Sequence, residues 1–183
     1  MTEAPTSVTV HRADEKESFP GPDEVEAVYQ AAAAEPPLRE PASVAALFAH
    51  LYRTAIDSMS VTCAVAHAED RLVGFAYGHE WRWSDQTDEW ADTLRRRLGS
   101  RAALLDGSFV IALLARHPDN ARAGLGARLL DALVSAVEPA SCWLNTTDVR
   151  SPALTLYTSR GFEPVGHGPD APDGRPGLVM VRR

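Results

Sequence analysis

Gly124 and Gly126, in the stretch His117 to Leu130, stand where an apolar run hands over to an amphipathic helix, and the chemistry they suit is anion binding. Glycine lets the backbone approach a phosphate closely. The first N–H groups of a helix have no internal partner, and the helix dipole adds positive potential at the same end. A G-x-G pair alone fits a plain turn before a surface helix better. A dinucleotide fingerprint of the Rossmann type needs a further glycine at position 129, where Leu129 stands, together with an early βαβ unit.

The elements around the pair make the cradle reading the better one. Ser108 to Arg116 is a continuous apolar run of strand length, bounded by Asp106-Gly107 and Pro118, so the unit reads strand, turn, helix. Ser141 to Asp148 reads as another strand. A short helix follows in Ser151 to Phe162, ended by Gly161, with Phe162 opening a further strand. Upstream, Val8 to Arg12 alternates as a first strand. Gly21 to Ala34 and Ala42 to Ile56 read as helices, and Ser60 to Ala68 and Arg71 to Tyr77 as a hairpin turning at Glu69-Asp70. Gly166 to Gly177 reads as a loop between the final two strands.

Between the third strand and the core strand lies an insert, residues 81–107, with Trp81, Trp83, Trp90 and a helix-like run Leu94 to Leu105. Trp81 and Trp83 are two residues apart, so an extended segment puts both rings on one face. They read either as anchors of an inserted helix on the sheet or as an aromatic wall for a cationic acceptor.

This order of elements resembles the GCN5-related N-acetyltransferase (GNAT) superfamily. Gly124 and Gly126 match the loop glycines of its acetyl-CoA site, and Pro118 the proline that follows its fourth strand. Tyr157, Gly161 and Phe162 match its helix signature, with Ser151-Pro152-Ala153 where Asn-Pro-Ala is common. The loop departs from the pattern at Ala121, where Arg or Gln is usual, and at Arg122, where Gly is common. Backbone N–H groups hold most of the pyrophosphate in such a loop, so the missing side chain does not by itself abolish binding.

The resemblance implies an α/β fold: a twisted mixed central sheet of six to seven strands, flanked by helices and splayed between the fourth and fifth strands. It implies one domain over residues 1–183, with 1–7 as a flexible tail. It implies acetyl-CoA as acyl donor, held by Leu114, Ala115, Arg116, Arg122, Ala123, Gly124, Leu125, Gly126, Ala127 and Ser151. Arg116, Arg122 and Arg128 are candidates to neutralise its phosphates. The acceptor is expected to be a small-molecule amine or a protein amino group, attacking the thioester directly. Tyr157 is the expected general acid, since phenol and alkyl thiol pKa values are about 10 and 8.5. An alkylamine must lose a proton first, and His79 and Glu80 are the candidate bases; on a regular strand they face opposite sides. Asp106 is a third, although its Asp-Gly context reads as a turn. The alternative function is a non-catalytic acyl-CoA-binding or regulatory module on the same fold.

Composition fits this reading. At 183 residues and 45% apolar content the chain suits one core, and its net charge of −7 disfavours a nucleic-acid partner. Cys63 and Cys142 lie far apart in apolar runs and read as buried hydrophobes. Neither metal-ligand spacing nor a membrane-length apolar run is visible, no leader precedes the first strand, and a cytoplasmic protein without membrane contact is expected. A homodimer is left open.

Overall fold

The computed structural model describes residues 6–120, 124–138 and 140–183. Its strands are β1 (Val8–His11), β2 (Val61–Ala68), β3 (Arg71–Trp81), β4 (Ser108–Arg116), β5 (Cys142–Thr147), β6 (Glu163–Gly168) and β7 (Gly177–Arg182). Its helices are α1 (Pro22–Ala33), α2 (Ala42–Ser58), α3 (Glu89–Leu98), α4 (Leu125–Val137) and α5 (Pro152–Ser159). The strands form one seven-stranded mixed sheet in the order β1-β2-β3-β4-β5-β7-β6. Only a parallel pair needs a helical crossover, and α4 supplies it between β4 and β5. Their parallel register covers Phe109↔Cys142 and Val110↔Trp143, after which β4 runs on to Arg116 and β5 keeps its antiparallel ladder with β7 to Thr147↔Gly177. This is the mixed sheet of six to seven strands flanked by helices that the resemblance implies.

The chain forms two compact units, one of residues 1–78 with 113–136 and one of residues 79–112 with 137–183. In the first, side-chain alternation on β3 sorts the helices to two faces. At Gly74 a Cβ would sit 2.8 Å from Leu129 Cδ1 and 3.3 Å from Leu125 Cδ2, so α4 packs directly on β3 there. Three residues on, the Tyr77 ring meets Tyr52 of α2 edge-on, with centroids 4.9 Å apart, and Tyr52 donates to the Pro20 carbonyl at 2.8 Å. α1 joins α2 through Tyr29 and Phe48, at 4.9 Å. Thr6 is tied down, its carbonyl accepting from Arg128 Nη1 at 2.8 Å; residues 1–5 of the expected tail lie outside the described residues.

The second unit shows three departures from the sequence reading. Trp81 closes β3 instead of opening the insert. The insert helix starts earlier, at Glu89, because Asp88 caps it by accepting the Ala91 N–H at 2.8 Å. It stops at Leu98, since Gly99 turns to φ 57°, and a tighter 3-10 helix carries the chain to Leu105. The expected loop from Gly166 shortens, because β6 continues to Gly168 past a register shift between Pro164 and Gly166.

Cys63 and Cys142 are free and buried, and burial pushes their thiols up to about 12 and about 11. A thiol reagent at pH 8 is therefore expected to leave both unmodified in the folded protein and to label both after unfolding; prompt labelling of native protein would contradict this. Both values lie above the ordinary thiol value of about 8.5. The stability they contribute is thus present below that pH and lost as pH rises through 11 to 12. No helix among the described residues is long and apolar enough to cross a membrane.

Candidate active site

The glycine loop belongs to the first unit and the tyrosine helix to the second. In the first, β4 ends with Leu114 and Arg116 half-buried and Ala115 buried. His117 leaves the strand with its N–H donating to the Val73 carbonyl at 2.8 Å, and its Nδ1 accepts the Asp119 N–H at 3.3 Å. Pro118 to Asn120 form a 3-10 turn. Ala121, Arg122 and Ala123 lie outside the described residues. Gly124 then takes φ +63°, a left-handed conformation that disfavours a side chain, and a Cβ placed on it would meet nothing within 4 Å. Open space at its Cα, directly before the positive end of the α4 dipole, is what an oxyanion ligand needs. Gly126 is buried in that first turn and Ala127 half-buried. The apolar side of α4, Leu125, Leu129, Leu130 and Leu133, is fully buried and fixes the helix start. Arg128, half-buried on α4, donates through Nη1 to the Thr6 carbonyl at 2.8 Å.

In the second unit, Ser151 Oγ caps α5 by accepting the Leu154 N–H at 3.0 Å, and Pro152 occupies the first helical turn. Tyr157 is 7% exposed and its hydroxyl makes no hydrogen bond among the described residues. Burial pushes its phenol up to about 12, so it carries its proton throughout the neutral range. The Gly-Phe pair has a physical role: Gly161, at φ +80°, reverses the chain, and the Phe162 N–H donates back to the Tyr157 carbonyl at 3.1 Å. The Phe162 ring then packs 6.0 Å from the Tyr157 ring.

The candidate bases separate clearly. His79 Nδ1 lies 2.8 Å from the Glu80 carbonyl oxygen, which can only accept, so Nδ1 carries the hydrogen and Nε2 the lone pair. Burial lowers its pKa, against a smaller opposing effect of that hydrogen bond, which favours the neutral imidazole. Glu80 is exposed and paired with Arg82 at 2.7 Å. Asp106 is a structural group, accepting the Trp83 N–H at 2.9 Å while the Gly107 N–H donates to the Trp81 carbonyl at 2.9 Å.

Trp81 does not form an open wall. It is 5% exposed and meets Trp83, Trp90 and Trp143 edge-on, with centroids 5.3, 6.3 and 5.0 Å away. Trp83 donates through Nε1 to the Ala102 carbonyl at 2.9 Å, and the cation over its ring is the chain's own Arg95, at 5.5 Å. The acceptor-binding role expected of this pair is thus replaced by anchoring of the insert. A pair the sequence reading missed is His167 and Asp148, with Nε2 2.8 Å from Oδ2. The two residues are 19 apart on β6 and just after β5, and only the register of β7 between them brings them together. Among the described residues, no group of three His, Cys, Asp or Glu side chains is placed to hold a metal ion.

No protein-family model and no curated protein matches this chain. Solved structures do. One is a protein from Desulfovibrio desulfuricans assigned to the GNAT family of acetyltransferases, 18% identical over 97% of this chain and 99% of that one, with TM-score 0.62. An aminoglycoside 6'-acetyltransferase type Ii is 15% identical over 96% of each chain, with TM-score 0.60. A chain of the NatC complex, solved with Gag peptide and CoA, is 13% identical over 96% of this chain and 97% of that one, with TM-score 0.59. At such identities the likeness is one of fold, carried along nearly the whole length by the seven-stranded order and the parallel β4–β5 pair. The chain has the fold of the GCN5-related N-acetyltransferases.

Proposed function

We propose that the chain is an acyl-CoA-dependent N-acyltransferase that moves acetyl from acetyl-CoA to a primary amine of a small molecule or a protein. The observation that carries this reading is Gly124, in a left-handed conformation with open space at its Cα, immediately before the start of α4. It is supported by the acetyltransferases that share the fold and by a chain of the NatC complex, of like fold and solved with CoA.

Acetyl-CoA supplies an activated thioester and a thiol leaving group. The backbone of Gly124 to Ala127 binds its pyrophosphate, with Arg116 and Arg122 adding charge, and the edge of Leu114 to Arg116 pairs with the pantetheine amides. Backbone N–H groups of that edge hold the developing oxyanion. His79 Nε2, neutral and carrying a lone pair, accepts the proton that the amine must lose. Tyr157 gives its proton to the departing sulfur. Trp81 and Trp83 have no part in the acceptor site.

Thermal shift with acetyl-CoA, CoA and ATP tests the cradle. A rise specific to the two CoA species is expected, and it should vanish in Gly124→Trp, where the indole fills the open space. An equal rise in that variant would put the cofactor elsewhere. A second reading, a binding module without transfer, is favoured by Ala121 in place of the usual Arg or Gln. It predicts the same shift but no CoA release with any amine in a broad panel.

A further inference from the structure

Two helix ends in the first unit are held by cations from one short segment. The last carbonyls of a helix have no internal N–H partner and lie at the negative end of its dipole. Neither α2 nor α4 has a basic residue in its last turn. Arg12 Nη2 donates to the Ala136 carbonyl of α4 at 2.7 Å, and Lys16 Nζ donates to the Ile56 carbonyl of α2 at 2.6 Å. The two helices pack on opposite faces of β3, at Gly74 and Tyr77, so the segment leaving β1 fastens both. It is itself a 3-10 turn, Ala13–Ser18, closed by the Arg12 N–H donating to Glu15 Oε2 at 3.2 Å.

The two clamps differ in chemistry. Lys16 is the one lysine among the 18 Lys and Arg residues. A guanidinium stays charged and non-nucleophilic near neutral pH, whereas a primary amine is the target of acylation. Lys16 is exposed. We propose that Lys16 is an acylation site, and that acylation by a thioester releases the carboxyl end of α2 while the Arg12 clamp on α4 stays closed. In the step, the Nζ lone pair bonds to the thioester carbonyl carbon, the C–S bond breaks, and the sulfur leaves as thiol with the proton that nitrogen loses. The amide product has no charge and one donor hydrogen in place of three. The inference is independent of the transfer reaction above, because the donor reacts from solution.

Native protein is incubated with acetyl-CoA at pH 8.5, freed of unbound cofactor and divided between tryptic mapping, melting and hydrogen exchange. Acetylation blocks cleavage after Lys16, so the modified form is read as peptide 13–39. Acetylated protein is expected to melt about 1–4 °C lower, with faster amide exchange in residues 52–60 and none added in 130–137. Lys16→Gln should reproduce both changes, and Lys16→Arg should keep the parent melting temperature before and after treatment. The proposal is overturned if Lys16 stays unmodified in native protein under conditions that acetylate it in urea. It is equally overturned if protein acetylated at Lys16 melts and exchanges like the untreated form.

Discussion

Tyr157→Phe is expected to lower turnover by about 10²- to 10⁴-fold while leaving acetyl-CoA affinity nearly unchanged, the contribution typical of a positioned general acid. The substitution removes only the hydroxyl. Phe keeps the ring that packs 6.0 Å from Phe162 and the backbone carbonyl that accepts from the Phe162 N–H, so α5 and the reversal at Gly161 persist. Burial pushes the phenol up to about 12, above its ordinary value, so the donor form survives to high pH. The deficit of the variant should accordingly stay constant from pH 6 to 10, with no limb in the parent profile near the ordinary phenol value of about 10. Burial disfavours a thiolate as well as a phenolate, which keeps the proton transfer between them from becoming steeply uphill. Unchanged turnover with an established acceptor would remove Tyr157 from the mechanism. Linkage gives a second check: its folded value is raised, so the stability it contributes is present below about pH 10 and lost as pH climbs through about 12.

Trp81→Ala should cost about 3–5 kcal/mol of stability, as truncation of a buried aromatic does. For a chain of this length that is a fall of about 6–20 °C in melting temperature. The indole touches the three other tryptophans, and with Leu94, Leu105 and Trp143 it forms the core that holds α3 and the following 3-10 helix. Trp83→Ala, which loses one bond to the Ala102 carbonyl and the Arg95 contact, should cost less. An acceptor wall would behave differently: a desolvated cation–π contact is worth about 2 kcal/mol, so its loss would raise acceptor KM by at most a few tens of fold at unchanged melting temperature. Measuring both quantities on Trp81→Ala separates the two, and an unchanged melting temperature would refute the packing role. All four tryptophans lie in this cluster, so intrinsic fluorescence follows the unfolding of the second unit directly.

The elements closest to the chemistry were the most legible. The strand Ser108–Arg116 was bounded in the sequence by Asp106-Gly107 and Pro118, and the structure keeps both ends. The cap at Ser151 and the stop at Gly161 bracket α5, because short polar side chains and left-handed glycines act on their own neighbours within a few residues. The insert was less legible: the helix-like run Leu94 to Leu105 left out the start that Asp88 caps and the stop at Gly99, both of them local signals.

The sequence by itself determined what is local: the alternation that makes strands, the caps that open helices, and the glycines that bend the backbone where Gly124 and Gly161 stand. Only the tertiary structure decided what each side chain does once distant segments meet. It turned Trp81 and Trp83 from a candidate wall into a core by setting Trp143 beside Trp81, 62 residues later in the chain. It gave Arg128 to the carbonyl of Thr6 and Asp106 to the N–H of Trp83. It also placed Arg12 and Lys16 on the ends of helices 124 and 40 residues away. A residue's type states which bonds it is able to make, whereas the partner it reaches depends on strand order and register, which pairs of neighbouring residues do not encode.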